Sequence, residues 1–334
     1  MLKSLLFNWT GPHKLALHMV VDEGGLSFFA EKLVRAVSMT RVMVTFHEFN
    51  EVCVGPGKKF LEDFGFSQSA HYSGLAGYCR LFLAEPGTGI VGDGVGMVPE
   101  GGQFIAIETD QLFFSDPAGL FSDFANMSAS TLVAAPEMYM SWEDGRPERN
   151  GEGRARRRNA VASSNGAGGR EGDWHGYGYI GGIMAFDVRR LREASFADLW
   201  RRELTLFIED QEQAEDGEKN WEPRLNDQDV FNAVFSRRNE LAGAFGCEWN
   251  LQYHGFMNAR RVCEESGEGG LNCGASRDKN IFVCRKRVKV AHFMAGSYKR
   301  GGGDYYSQFW QSYDLLDLGL VAEAINYETE RASV

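Results

Sequence analysis

Phe104-Ile-Ala-Ile-Glu108-Thr-Asp110 is the stretch on which the fold turns: an apolar run of strand length ends in two acids two positions apart. Alternate residues of extended backbone share a side, so Glu108 and Asp110 point the same way from the strand end. Two hard oxygen donors there suit Mg2+ or Mn2+, which take a couple of carboxylates and complete their shell with water and phosphate. The competing reading is a solvated acidic turn that caps the next helix. Asp116 followed by Pro117 already supplies that cap, for a helix through Phe124.

Working outward, the pattern alternates strand and helix. Lys14–Asp22 reads as a buried strand, 26–37 as a helix, and Arg41–Phe46 as a second strand. Residues 72–84 repeat apolar positions at helical spacing. Thr131–Ala135 and Tyr179–Asp187 read as strands, and Arg189–Phe207 as one helix. Asn226 or Asp227 starts a helix through Phe235, Arg287–His292 is a late strand, and 304–327 is helical. The expected fold is α/β, a mixed and mostly parallel sheet with helices on both faces, in one domain over 1–334. Ligands of such sheets sit beyond the carboxyl ends of the strands, which singles out Glu108–Asp110, Tyr179–Gly182, Asp227–Gln228 and His292. The Gly- and Arg-rich stretch 145–173 reads as a flexible surface loop.

The chain has 334 residues, 43% of them hydrophobic, enough for a large core, and a net charge of −11 that argues against a general nucleic-acid binder. No apolar stretch approaches the roughly 18 residues that a bilayer-spanning helix needs. Six cysteines form no C-x-x-C pair, which excludes a zinc ribbon or thioredoxin-type motif. Four of them crowd into 247–284, a stretch suited to disulfide stapling in an oxidising lumen. The sequons at Asn8 and Asn126 are compatible with that route.

Further residues invite chemistry. His292 ends a strand and is followed by Gly296 and Lys299, a glycine for close backbone approach and a cation for phosphate; it is either a ligand or a hydrogen-bonded structural histidine. Arg80, on an otherwise apolar helix, is either a snorkelling surface residue or a second phosphate cation. Helix capping explains part of the acidity of Asp227-Gln-Asp229 but not Gln228, whose amide could orient a sugar hydroxyl or face a reacting carbon. Gly87-Thr-Gly89-Ile-Val-Gly92 fits the dinucleotide pattern, yet follows a helical segment and opens no helix, so it reads as a flexible loop. No G-x-S-x-G elbow is present.

Taken in order, these pieces resemble glycosyltransferase family 8, retaining, metal-dependent enzymes of the GT-A nucleotide-diphospho-sugar transferase fold, and in particular the xylosyltransferase domain of the LARGE proteins and the glucoside xylosyltransferases. The likeness is carried by Leu2–Phe7, His71–Gly74 with Arg80-Leu81, Glu108–Phe114, Gly181–Met184 with Arg190-Leu-Arg192, Asp227–Asn232, Cys247–Asn250 and His292–Lys299. It implies that Glu108, Asp110 and His292 bind Mn2+ or Mg2+. Arg80, Thr109, Asp110, Gly181, Gly182, Gly296 and Lys299 would then hold the donor, with Asp227 and Gln228 beside the transferred sugar as the catalytic pair. It further implies a UDP-sugar donor, xylose foremost, a glycan or glycoprotein acceptor, a Golgi or secretory-pathway lumen, and a Cys247–Cys263 disulfide.

Three departures from that pattern stand out. Glu108 occupies a position where the family usually has Asp, and is one methylene longer. Ile180 stands where an amide commonly precedes the small-residue–Gly pair, and it cannot replace that hydrogen bond. The chain also begins at what resembles the end of the family's first helix, as if the first strand and any membrane anchor were missing. These departures motivate an alternative: a catalytically degenerate member that binds a glycan or a protein.

Overall fold

The computed structural model describes residues 2–10, 13–29, 42–67, 73–85, 89–94, 97–136, 179–213, 221–223, 225–252 and 287–293. The stretch 145–173, the helix expected at 304–327, and Cys263, Gly296 and Lys299 lie outside them. The chain divides into two compact units, one of Met1–Glu48, Ile107–Ser122 and Cys247–Val334, the other of Phe49–Ala106 and Asp123–Gly246.

In the first unit, strands β1 (Leu15–Val21) and β2 (Val42–Glu48) pair in parallel from Leu15↔Val42 to Val21↔Glu48. Their apolar and β-branched side chains suit a pleated, half-buried surface. A second sheet has the order β4 (Gln111–Phe113), β9 (Val290–His292), β8 (Leu251–Gln252). β4 runs antiparallel to β9 with Gln111 opposite His292, and β8 runs parallel to β9. Helix α1 (Leu2–Asn8) closes the open side of β4. Ser4 Oγ accepts from the Phe113 N–H at 3.0 Å, and Asn8 Nδ2 donates to the Phe113 carbonyl at 2.9 Å. Both polar groups of a strand-edge residue are thereby satisfied. The expected cap forms, since Asp116 Oδ1 accepts from the Ala118 N–H at 2.9 Å.

The second unit is built on a sheet of order β3 (Gln103–Ile107), β6 (Ile183–Asp187), β5 (Val133–Pro136), β7 (Ala242–Phe245). β5 is antiparallel to β6 and parallel to β7, so the sheet is mixed, as the resemblance implies, whereas the alternation of strand and helix alone predicts parallel neighbours. β6 is buried throughout, and so is most of α6 (Asp227–Arg237). Phe60, Phe64, Phe66, Tyr78, Phe82, Trp200, Phe207 and Trp221 interlock as an aromatic cluster beside them. Cys53 and Cys79 form a disulfide between a π-helical segment, Asn50–Val54, and a 3-10 helix, Gly74–Leu81.

Local geometry departs from the pattern in two places. The expected helix Arg189–Phe207 breaks at Ser195, whose φ of 48° lies in the left-handed region, giving α4 (Val188–Glu193) and α5 (Phe196–Gln213). The described part of the glycine-rich loop opens no helix, as expected, but is packed rather than loose: Ile90, Val91 and Val98 are buried, and Val91 bridges Val98. Gly89 is required there because a Cβ would strike the Leu83 carbonyl.

Candidate functional site

Two clusters of the singled-out residues form, one in each unit. In the first unit the β4–β9 register brings His292 beside the turn that carries the two acids. His292 Nε2 lies 3.2 Å from Glu108 Oε2 and 3.1 Å from Asp110 Oδ1. One ligand atom from each of the three lies within 4.8 Å of the others. The imidazole is 2% exposed, whereas Glu108 is 40% exposed, so the cluster is rooted in the core and open at one edge. Its other nitrogen, Nδ1, is 3.1 Å from Asn250 Oδ1, an atom that only accepts, which puts the proton on Nδ1 and turns Nε2 to the acids.

Nε2 of His292 and Oδ1 of Asp110 are both shielded from solvent, yet they meet without hydrogen-bond alignment among the described residues. Burial alone would depress the imidazole pKa, but the Asp110 and Glu108 carboxylates outweigh it and lift it to about 9. Two carboxylates and one imidazole, oriented by an amide behind the ring, form a donor set that fits Mn2+ or Mg2+. Thr109, at the tip of the turn, is exposed. Asn250 was not singled out by role, and the only signal for it was an amide directly after a tryptophan at the start of a short strand.

In the second unit Arg80 is neither a surface residue nor isolated. Its Nε donates to Asp227 Oδ2 at 2.6 Å and its Nη2 to Oδ1 at 2.7 Å, with the two side chains 14% and 1% exposed. Its Nη1 donates to the Gly181 carbonyl. The Gly181 N–H donates to Gln228 Oε1 at 3.1 Å, so one residue links the arginine to the glutamine. A Cβ on Gly181 would run into the guanidinium, which accounts for a glycine there. Gly182 and Ile180 are buried beside it.

Behind this cluster Asn232 anchors residue 179 to α6. Its Oδ1 accepts from the Tyr179 N–H at 2.6 Å, while its Nδ2 donates to the carbonyls of Tyr179 and Gln228. An asparagine one turn beyond Gln228 in an apolar helix was the available signal. Tyr78 is fully buried, and its hydroxyl has no hydrogen-bond partner among the described residues. Burial, then Asp229, Asp227 and Glu222, push its pKa above the ordinary phenol range.

No family model matches the chain. Over 270 residues it is 25% identical to the xylosyl- and glucuronyltransferase LARGE2 of Mus musculus, covering 80% of this chain and 32% of that protein. The Homo sapiens LARGE2 is 25% identical over 272 residues, 80% of this chain and 30% of that protein. The chain thus spans about a third of the length of these relatives. Among solved structures, the apo form of mouse xyloside xylosyltransferase 1 superposes with a TM-score of 0.59 at 18% identity, over 88% of this chain and 90% of that one. The chain is a homologue of the LARGE xylosyl- and glucuronyltransferases and folds as a GT-A glycosyltransferase.

Proposed function

We propose that this chain is a retaining, metal-dependent glycosyltransferase domain, one domain over 1–334, that moves a sugar, xylose foremost, from a UDP-sugar to a glycan or glycoprotein acceptor. The observation that carries the proposal is the convergence of Glu108, Asp110 and the buried His292, with Asn250 setting the ring. These three residues hold Mn2+ or Mg2+. When bound, the ion offsets the charge that builds on the departing diphosphate.

Donor-binding roles are assigned to Thr109 and Asp110 on the turn and to Arg80, Gly181 and Gly182 of the second cluster, and by the resemblance to Gly296 and Lys299, which lie outside the described residues. Asp227, fixed by Arg80, and Gln228, fixed by Gly181, lie beside the sugar as the catalytic pair. Gln228 turns its side-chain oxygen to the Gly181 N–H. In the transfer, the bond from the anomeric carbon to UDP breaks and a bond to the acceptor oxygen forms on the same face. The acceptor proton passes to a phosphate oxygen of UDP, so no separate base is required.

The Cys53–Cys79 bridge supports a secretory-pathway or Golgi lumen, since disulfides persist in oxidising compartments. No helix among the described residues is long and apolar enough to cross a membrane.

The test is UDP release from UDP-xylose by the full chain with Mn2+, with and without a glycan acceptor, beside Asp110→Ala. Loss of turnover in the variant is expected, and unchanged turnover overturns the metal assignment. A second reading, a degenerate module that binds a glycan or protein, is favoured by Glu108 and by the apolar Ile180 buried next to Gly181. Calorimetry with UDP and Mn2+ separates the two, because absence of metal-dependent nucleotide binding supports the module.

A further inference from the structure

Asn226 is buried to 1% exposure at φ 55° and ψ −128°, one of two non-glycine residues with positive φ among those described. Such a conformation is normally left to glycine, and it persists only where the surroundings over-determine it. Asparagine directly before a helix ordinarily caps it, yet this side chain makes no capping bond to α6. Its Nδ2 donates instead to Ser73 Oγ at 2.7 Å, at the start of the 3-10 helix Gly74–Leu81. The amide enters a slot left by Gly77, where a Cβ would collide with Asn226 Nδ2.

The next residue, Asp227, is gripped from the same 3-10 helix by Arg80. Residues 226 and 227 are therefore attached, one after the other, to three positions of a single helix: Ser73 at its start, Gly77 within it and Arg80 near its end. The Cys53–Cys79 bridge anchors that helix in turn. Backbone direction at 226 decides where Asp227 and Gln228 point. An ordinary negative φ there would swing Asp227 away from Arg80 and Gln228 away from the Gly181 N–H.

We propose that Asn226 is a positioning residue for Asp227 and Gln228, held in its strained conformation by the Ser73 hydroxyl and the Gly77 slot. This rests on the reading of Asp227 and Gln228 as the residues beside the transferred sugar. Side chain and backbone have separable parts in it. Glycine at 226 keeps the conformation and loses only the tether, whereas alanine loses both.

The test compares Asn226→Ala, Asn226→Gly and Ser73→Ala in the full chain, with UDP-xylose turnover and UDP–Mn2+ calorimetry. Asn226→Ala is expected to lower kcat about a hundredfold with UDP affinity nearly unchanged, as a small misplacement of reacting groups does. Asn226→Gly is expected to return to within roughly tenfold of wild type, because glycine adopts the backbone without strain. A purely structural role would lower Tm in both variants and leave kcat per folded enzyme alone. A wild-type kcat for folded Asn226→Ala, or a glycine variant no better than alanine, overturns the proposal. Should Asn226→Ala fail to fold, Ser73→Ala carries the comparison, with reduced kcat at retained UDP affinity supporting the tether and unchanged kcat rejecting it. Asp227→Asn and Gln228→Ala separate the two levels: if neither affects turnover, the catalytic reading of that pair has failed. Amide exchange at Gln228 and Asp229 then still decides the role of Asn226. Protection lost with alanine and kept with glycine supports the proposal, and equal protection overturns it.

Discussion

Arg80 and Asp227, 147 positions apart in the chain, meet as a two-pronged ion pair, Nε to Oδ2 at 2.6 Å and Nη2 to Oδ1 at 2.7 Å. Breaking one side of a buried pair leaves an uncompensated charge. Arg80→Ala is therefore expected to cost about 3–5 kcal/mol of folding stability in urea titration. Arg80→Lys keeps the charge but not the fork, and should recover only part of the loss. A cost for Arg80→Ala under about 1 kcal/mol would mean that the pair is solvated.

Mn2+ should stabilise the protein, because a ligand that binds only the folded state shifts unfolding by mass action. At a hundredfold excess over Kd the gain is about 2.7 kcal/mol, read as a rise in Tm that EDTA reverses. Asp110→Ala and His292→Ala should abolish the rise. Asn250→Ala, which removes the partner of the ring Nδ1, should weaken metal binding by about 10–100-fold. A full Mn2+ response in Asp110→Ala would exclude that carboxylate as a ligand.

Acid should weaken the pairing of β1 with β2. His18 Nδ1 lies 2.9 Å from His47 Nε2, and the stacked rings share one hydrogen bond in which one nitrogen donates and the other accepts. Burial, then the neighbouring His47, lowers the His18 pKa from 6.5 to about 4, and burial lowers that of His47. With the folded pKa depressed, the neutral ring's contribution is fully present above pH 6.5 and is lost as pH falls toward 4. After allowance for partial exposure the loss is roughly 1 kcal/mol. Denaturant titrations at pH 7 and pH 4.5 should show a steeper fall for wild type than for His18→Gln, and parallel falls would assign the change to carboxylates elsewhere.

Reduction by a dithiol should destabilise the chain through Cys53–Cys79. The bridge closes a loop of 26 residues. The chain-entropy model assigns such a loop about 3.5 kcal/mol. A Cys53→Ala/Cys79→Ala pair should show the same loss and no further response to reductant. An equally large response in the double variant would place the sensitive sulfur among the other cysteines.

What the sequence disclosed follows from how local each signal is. The strand before the acids, which ends at Ile107 rather than Glu108 so that Glu108–Asp110 forms a turn, the Asp116 cap and the start of α6 depend on neighbours within one turn or one pleat, and their existence is readable from spacing. Arg80 shows the opposite case. On its own helix it looks like a surface cation, because the carboxylate that buries it lies 147 positions away. The disulfide likewise joins the two cysteines outside the crowded stretch 247–284. The break at Ser195 is masked by apolar positions that keep helical spacing across it. Three asparagines, 226, 232 and 250, hold both clusters in place, yet buried amides carry no spacing signature of their own.

The facing of Gln111 and His292 has a consequence for biosynthesis. Asp110 and Glu108 leave the ribosome 182 and 184 positions before His292, so a nascent chain carries two of the three proposed ligands well before the third. An ion that needs all three residues could not template the early folding of this chain. Loading of an ion at the proposed site would require β9 to lie beside β4, so that loading would report that this small sheet has been assembled.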